Sequence, residues 1–224
     1  MRVAQVGQAE DLRLAGEVHG AEAARLTDGE LLLVPAIEYA SDDNAIHILV
    51  VGVEAFWEDL ARFPTSRAGE LLDRVRAASG VAILAHHERA HAIDKLPPEV
   101  LRRLDGIEVW NGKTDRWGPS PRALAALRAF TADGRPPFAT AGLDQHRLGD
   151  FRSVGLELER VPRGAADLVE MLTARRFRIF VGPVTWNPPP AGAIAYAGAL
   201  GSRGLIRRAR FVKAKTPGRV RGAP

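Results

Sequence analysis

The chain has 224 residues, 46% of them hydrophobic, enough for one substantial core, and it has no cysteine, which excludes disulfides, thiolate metal sites and a cysteine nucleophile. Any bound metal must therefore sit on His, Asp and Glu. The formal charge of +4 hides an asymmetry: Met171 to Pro224 carries 11 Lys and Arg and no acidic residue, whereas residues 1–170 carry 20 basic against 27 acidic residues.

A basic end of this kind suits nucleic acid or another anionic surface. The opening residues lack the apolar core of a signal peptide, and no apolar run approaches the about 20 residues of a membrane span. The expectation is a cytoplasmic protein that does not engage a membrane.

Residues 3–6 read as a short strand remnant, and residues 10–27 have helix-like composition. Leu31–Ile37 is continuously apolar and Ile46–Val51 is rich in β-branched residues, so both predict buried strands, with the polar SDDN turn between them. Glu38 and His47 fall at the ends of these runs. A carboxylate at the end of a core strand is costly to bury unless it is paired or binds a metal.

Pro64-Thr65-Ser66 predicts a helix start, GELLDRVRAAS continues the helix, and Gly80 stops it. VAILA, residues 81–85, predicts a strand, HHERAHAIDKL a polar loop, and Pro97-Pro98 the start of a short helix through Leu104. GIEVWN (106–111) is the next strand, Pro119–Ala132 a helix, and Pro137–Leu143 a strand ending in Asp144-Gln145-His146. SVGLELE then reads as strand, GAADLVEMLTARR as helix and FRIFVG as a last strand, after which TWNPPP and AGAIAYAGALG lose the pattern. The chain divides into a folded domain over residues 1–183 and a Pro/Gly- and Arg-rich basic tail over 184–224.

Alternating strands and helices predict a parallel α/β fold, as a barrel or an open sheet. Glu38, His86, Asn111 and Asp144 with His146 fall at the C-terminal ends of predicted strands, the rim where α/β barrels do chemistry. The spacing of Asp144 and His146 directs two ligand types to one side of an extended chain. A His and carboxylate set of this kind suits Zn, Mn or Fe. One motif competes. His87-Glu88-Arg89-Ala90-His91 spells H-E-x-x-H, which on a helix aligns two imidazoles and a general base around zinc, as in a zinc peptidase, with Glu99 or Glu108 as third ligand. The strand-like VAILA before it and Pro97-Pro98 after it leave little room for that helix.

The order of pieces is similar to a known family. VPAIE followed by AIHILVVG, then GVAILAHH, GIEVWNG and TAGLDQH resemble the later motifs of the PHP family, the polymerase and histidinol phosphatase domain. ELERVPRGAADLVEMLTARRFRI resembles the closing helix and strand of such domains, so the likeness spans about residues 30–182.

The resemblance implies a distorted (β/α)7 barrel with clustered divalent metals at the strand C-termini, hydrolysing phosphate esters of a small molecule or nucleotide. It assigns Glu38 as bridging carboxylate, His47 and His86 as completing one metal, Asp144 to a second metal and His146 to a third. The attacking water would be metal-activated near Glu38 and Asp144. Asn111, Lys113 and Arg147 are the corresponding candidates for holding the phosphate.

The family's first motifs, H-x-H with S-D-G and T-D-H, have no counterpart here. His19 lies in a helix-like stretch, and Thr27-Asp28-Gly29 falls where a helix-to-strand turn belongs. His87 and Leu143 stand where the family has Pro and Ser. The reading is therefore of a barrel incomplete at its N-terminus, truncated or degenerate, with at most one metal partly occupied and weak or no activity. A non-catalytic binding or regulatory module, its basic tail contacting nucleic acid or a partner, is the alternative from a different class.

Overall fold

The computed structural model describes residues 2–3, 24–25, 32–87, 91–113, 115, 119–131, 137–144, 154–181 and 184–186. In chain order the elements are β1 (Arg2–Val3), β2 (Ala24–Arg25), β3 (Leu32–Leu33), β4 (Ala36–Ser41), β5 (His47–Val51), β6 (Arg62–Phe63), α1 (Ala68–Ala77) and β7 (Val81–Leu84). They continue with α2 (Ala92–Lys95), α3 (Pro98–Leu101), β8 (Gly106–Asn111), α4 (Pro121–Thr131), β9 (Phe138–Gly142), β10 (Val154–Leu158), α5 (Ala165–Thr173), β11 (Phe177–Val181) and β12 (Val184–Trp186). Among the described residues, no helix is long and apolar enough to cross a membrane.

Six strands form one sheet in the order β6-β4-β5-β7-β8-β9. β6, β4, β7, β8 and β9 share a direction, and β5 alone runs against both its neighbours. The expectation of a parallel series fails at β5 for a local reason. The polar turn after β4 is too short for a crossover, so it can only return the chain antiparallel.

That turn is built by side chains. Ser41 Oγ accepts the N–H groups of Ala45 at 3.1 Å and Ile46 at 2.9 Å, and Asp43 Oδ1 accepts Ala45 N–H at 3.0 Å. Asn44 takes the left-handed conformation, φ 56°, that Asn tolerates better than most residues. The hairpin register, Ala40 opposite His47 and Glu38 opposite Leu49, follows from it.

A second sheet, β1-β10-β11-β12, is antiparallel throughout. SVGLELE and FRIFVG are thus strands, as the sequence predicts, yet they pair with each other in opposite directions instead of extending the parallel series. Their connection through α5 is long enough for either direction, so periodicity alone does not decide it. The remnant at the start is a two-residue strand on β10, and β12 carries this sheet three residues into the stretch read as tail. The remainder of that tail lies outside the described residues, as does most of the helix expected over residues 10–27; Ala24–Arg25 at its end is strand β2, paired with β3.

Alternate residues of the large sheet face opposite ways. Tyr39, Ile48, Leu84, Ile107 and Ala139 form a cross-strand row on one face, packed in a single core with Leu71, Leu72 and Val75 of α1 and Leu124 and Leu127 of α4. The α1 residues recur at helical spacing, which is why this stretch buries one stripe. Each fully buried aliphatic side chain contributes about 1.5–3 kcal/mol. At the end of α1 it is Ser79, φ 57°, that takes the left-handed position expected of Gly80. Gly80 is instead required by close approach, since a Cβ there would overlap Val53 and crowd the Val51 carbonyl.

The opposite face has two zones. Near the N-terminal ends of the parallel strands, Val51, Val81, Ile83 and Phe138 are covered by Leu168, Met171 and Leu172 of α5 and by Leu158 and Phe177 of the second sheet. Toward the C-terminal ends, the same face presents polar and ionisable side chains.

Candidate metal centre

Ala40 and His47 are cross-strand partners, and Glu38 stands two residues from Ala40, so Glu38 and His47 are diagonal neighbours on one face, within reach of long side chains. Glu38 Oε1 pairs with His47 Nδ1. His47 Nε2 lies 3.1 Å from Asn44 Oδ1, which also accepts from the Arg62 guanidinium at 3.0 Å. Glu38 is the third residue of β4, further inside the strand than the sequence suggests. Pro35 precedes β4, which starts at Ala36, later than the apolar run predicts.

His86 follows β7 by two residues and comes from across β5. Its Nε2 is 3.7 Å from Glu38 Oε1, and its ring meets that of His47 edge-on with centroids 4.5 Å apart. Among the described residues, Glu38, His47 and His86 form a group whose candidate ligand atoms all lie within 4.8 Å of one another. Two imidazoles and a carboxylate suit Zn, Mn or Fe.

Beside this group is a cleft of about 40 Å³ lined by Glu38, His86, Glu108, Thr140, Gly142 and Asp144 together with apolar residues. At roughly 10–15 Å³ per water it has room for a few small bodies, an ion with waters but not a substrate. A substrate would have to lie over the rim.

Glu108 is the residue that sequence reasoning missed here, having considered it only as a peptidase ligand. It is 7% exposed, and its Oε2 accepts His86 N–H at 2.5 Å and Asn111 Nδ2–H at 3.1 Å. Burial pushes its carboxyl up to about 8; the hydrogen bonds from Asn111 and His86 oppose this, while Asp144 and Asp115 add to it. A charged residue inside the otherwise buried GIEVWN run was the available clue.

Asn111 reaches Glu108 because of a bulge. β8 pairs Glu108 with Thr140, but then Trp110 with Ala141 and Asn111 with Gly142. The extra residue shifts the alternation, so Asn111 returns to the face that carries Glu108. Asn111 is 1% exposed, and its Oδ1 accepts Lys113 N–H at 3.0 Å. Lys113 is exposed, with Nζ 3.7 Å from Asp144 Oδ2. Asp144 thus faces the same cleft, though outside the three-residue group. His146 and Arg147 lie outside the described residues.

His86 has φ 22° and Asp144 φ 46°, both in the left-handed region. Such backbone costs on the order of 1–3 kcal/mol per residue and clusters at functional sites.

The H-E-x-x-H stretch is arranged differently. His87 is 1% exposed, at the turn after β7, while residues 88–90 lie outside the described residues. His91 precedes α2 with a left-handed φ of 56°, and its Nδ1 accepts from the Arg122 guanidinium at 2.7 Å. The second imidazole therefore stands at the N-cap of the one-turn helix α2, outside an α-helix of the kind the peptidase motif requires.

No protein-family model matches the chain, and no curated protein matches it either. The fold and site define a mixed α/β protein with a His/carboxylate cluster at the C-terminal rim of its main sheet.

Proposed function

We propose that this is a PHP-like domain in which Glu38, His47 and His86 hold one divalent cation, and that its chemistry is metal-dependent hydrolysis of phosphate esters. The observation that carries the reading is the convergence of those three ligands, from three strand regions, beside a cleft that also receives Asp144. On this reading the second sheet and α5 continue the wall of a distorted (β/α)7 barrel.

The donor set fits Zn, Mn or Fe, and Glu38, His47 and His86 are the residues that would hold the ion. Bound there, it would supply Lewis acidity toward a phosphoryl oxygen and a water of lowered pKa. Asn44 and Glu108 orient the two histidines, the first through His47 Nε2 and the second through the His86 backbone. Lys113, exposed beside Asp144, offers a cation to the phosphate of a small-molecule or nucleotide substrate.

Metal content of the purified protein, compared with His86→Ala, tests the ligand set; equal content in both would refute it. Hydrolysis of p-nitrophenyl phosphate with Mn, Zn or Fe tests the reaction. Metal bound without any metal-dependent hydrolysis would leave a non-catalytic binding module.

A further inference from the structure

At the opposite end of the sheet, beneath the N-terminal ends of β7, β8 and β9, lies a second cleft of about 80 Å³. It is lined by Arg76, Arg102, Arg103 and Arg175 with Asp105, Thr173, Leu104 and Phe138. We infer that this cleft is an oxyanion site that takes the phosphate group of a small ligand, separate from the rim that carries Glu38, His47 and His86.

The arginines come from three different places. Arg76 is in the last turn of α1, Arg102 and Arg103 directly follow α3, and Arg175 follows Ala174, the C-cap of α5. A basic residue near one helix C-terminus is favoured by the helix dipole. That preference explains each arginine singly. It does not explain why three helix ends bring arginines to one concavity, where like charges repel.

Two details point to placement for a ligand. Arg175 has φ 58°, the left-handed position where helices ordinarily end in Gly or Asn, so the backbone accepts strain to carry a long cationic side chain there. Arg103 is fixed in place by the Gly69 carbonyl at 3.1 Å and by pairing with Asp73, which pre-orients its guanidinium.

The acidic member is already committed. Asp105 Oδ2 accepts Ala82 N–H at 2.9 Å, holding β7 beside β8. The lining is thus four arginines, Arg103 among them already paired with Asp73, against one backbone-bonded carboxylate, in a body whose first 170 residues carry more acid than base. Guanidiniums suit phosphate through paired N–H donors, and the volume accommodates a group of a few heavy atoms. Thr173 Oγ1 donates to the Val169 carbonyl at 2.8 Å and keeps lone pairs but no proton for the cleft, so the arginines supply the recognition.

The test uses inorganic phosphate and pyrophosphate as probes, with the full chain and calorimetry at low salt. Saturable binding is expected, weakened at least tenfold in Arg76→Ala/Arg102→Ala and in Arg175→Asn, the latter chosen because Asn tolerates the left-handed backbone. Arg122→Ala, at the N-terminal end of α4 where it pairs with Asp94, and His86→Ala at the other rim are expected to bind like wild type. Circular dichroism confirms that each variant is folded. Absence of saturable binding, equal binding in the cleft variants, or loss of binding in His86→Ala overturns the proposal. The last outcome would place the anion at the metal rim, so failure here is distinguishable from failure of the hydrolase reading.

Discussion

The backbone N–H of His86 donates to Glu108 Oε2 across 2.5 Å, tying the turn that carries a candidate ligand to the neighbouring strand β8. Glu108 is thereby a positioning residue, fixing a His whose backbone sits in an unfavourable region. Glu108→Ala leaves that N–H and the Asn111 amide without their buried acceptor and is expected to cost about 1–3 kcal/mol. Glu108→Gln keeps an acceptor and costs less. Urea denaturation of both variants checks this, and equal loss in the two would show that the acceptor is not what matters.

Glu108 also sets a pH dependence in the metal-free protein. Its folded pKa, about 8, lies above the ordinary 4.5. Below the lower value both folded and unfolded chains hold the proton. Between the two, the unfolded chain releases it and the folded chain keeps it, so stability falls as pH rises, by on the order of a few kcal/mol, and levels off above about 8. Denaturation in chelator at pH 5, 6.5 and 8.5 should show this decline in wild type and a flatter profile in Glu108→Gln. The same slope in both would remove Glu108 as its source.

Glu38 and His47 separate two roles that one pair can play. The pair is partly exposed, the Glu38 side chain by 32%, so as an ion pair alone it contributes about 1 kcal/mol or less. As a metal ligand, Glu38 matters through linkage: a cation at 100 times its Kd stabilises the fold by about 2.7 kcal/mol. Glu38→Gln should therefore leave the metal-free melting temperature within a few degrees of wild type while abolishing most of the upward shift produced by Zn. A full Zn shift in the variant counts against Glu38 as a ligand.

The strands at 81–84, 106–111 and 138–142 were legible within a residue or two because each is an apolar run bounded by turn residues, and their C-terminal ends led directly to His86, Asn111 and Asp144. The hairpin around SDDN was legible as a turn, but its consequence for direction was not carried through to β5. β4 begins later than its apolar run because Pro35 has no N–H for a ladder, and it runs on to Ser41 through its pairing with β5, which puts Glu38 inside the strand. The bulge at Val109–Trp110 left no mark in the sequence, since both residues are ordinary strand formers, yet it decides which way Asn111 points. The reversal of β10 against β11 depends on packing between distant segments, and residue periodicity does not encode it.

Gly52 shows how α5 is seated on the sheet. It follows β5 with φ 81°, and a Cβ at this position would fall within Val169 Cγ2 of α5. Gly52→Ala thus meets two penalties, about 1 kcal/mol for the left-handed backbone and about 1–3 kcal/mol for the overlap. They can be separated. Val169→Ala removes the overlapping methyl groups, so adding Gly52→Ala in that background should cost only the backbone part, a positive coupling of 1 kcal/mol or more in a double-mutant cycle. Denaturant midpoints of the four proteins measure it. If Gly52→Ala costs the same in both backgrounds, α5 does not pack against the end of β5, and the cover over Val51, Val81 and Phe138 must come from elsewhere.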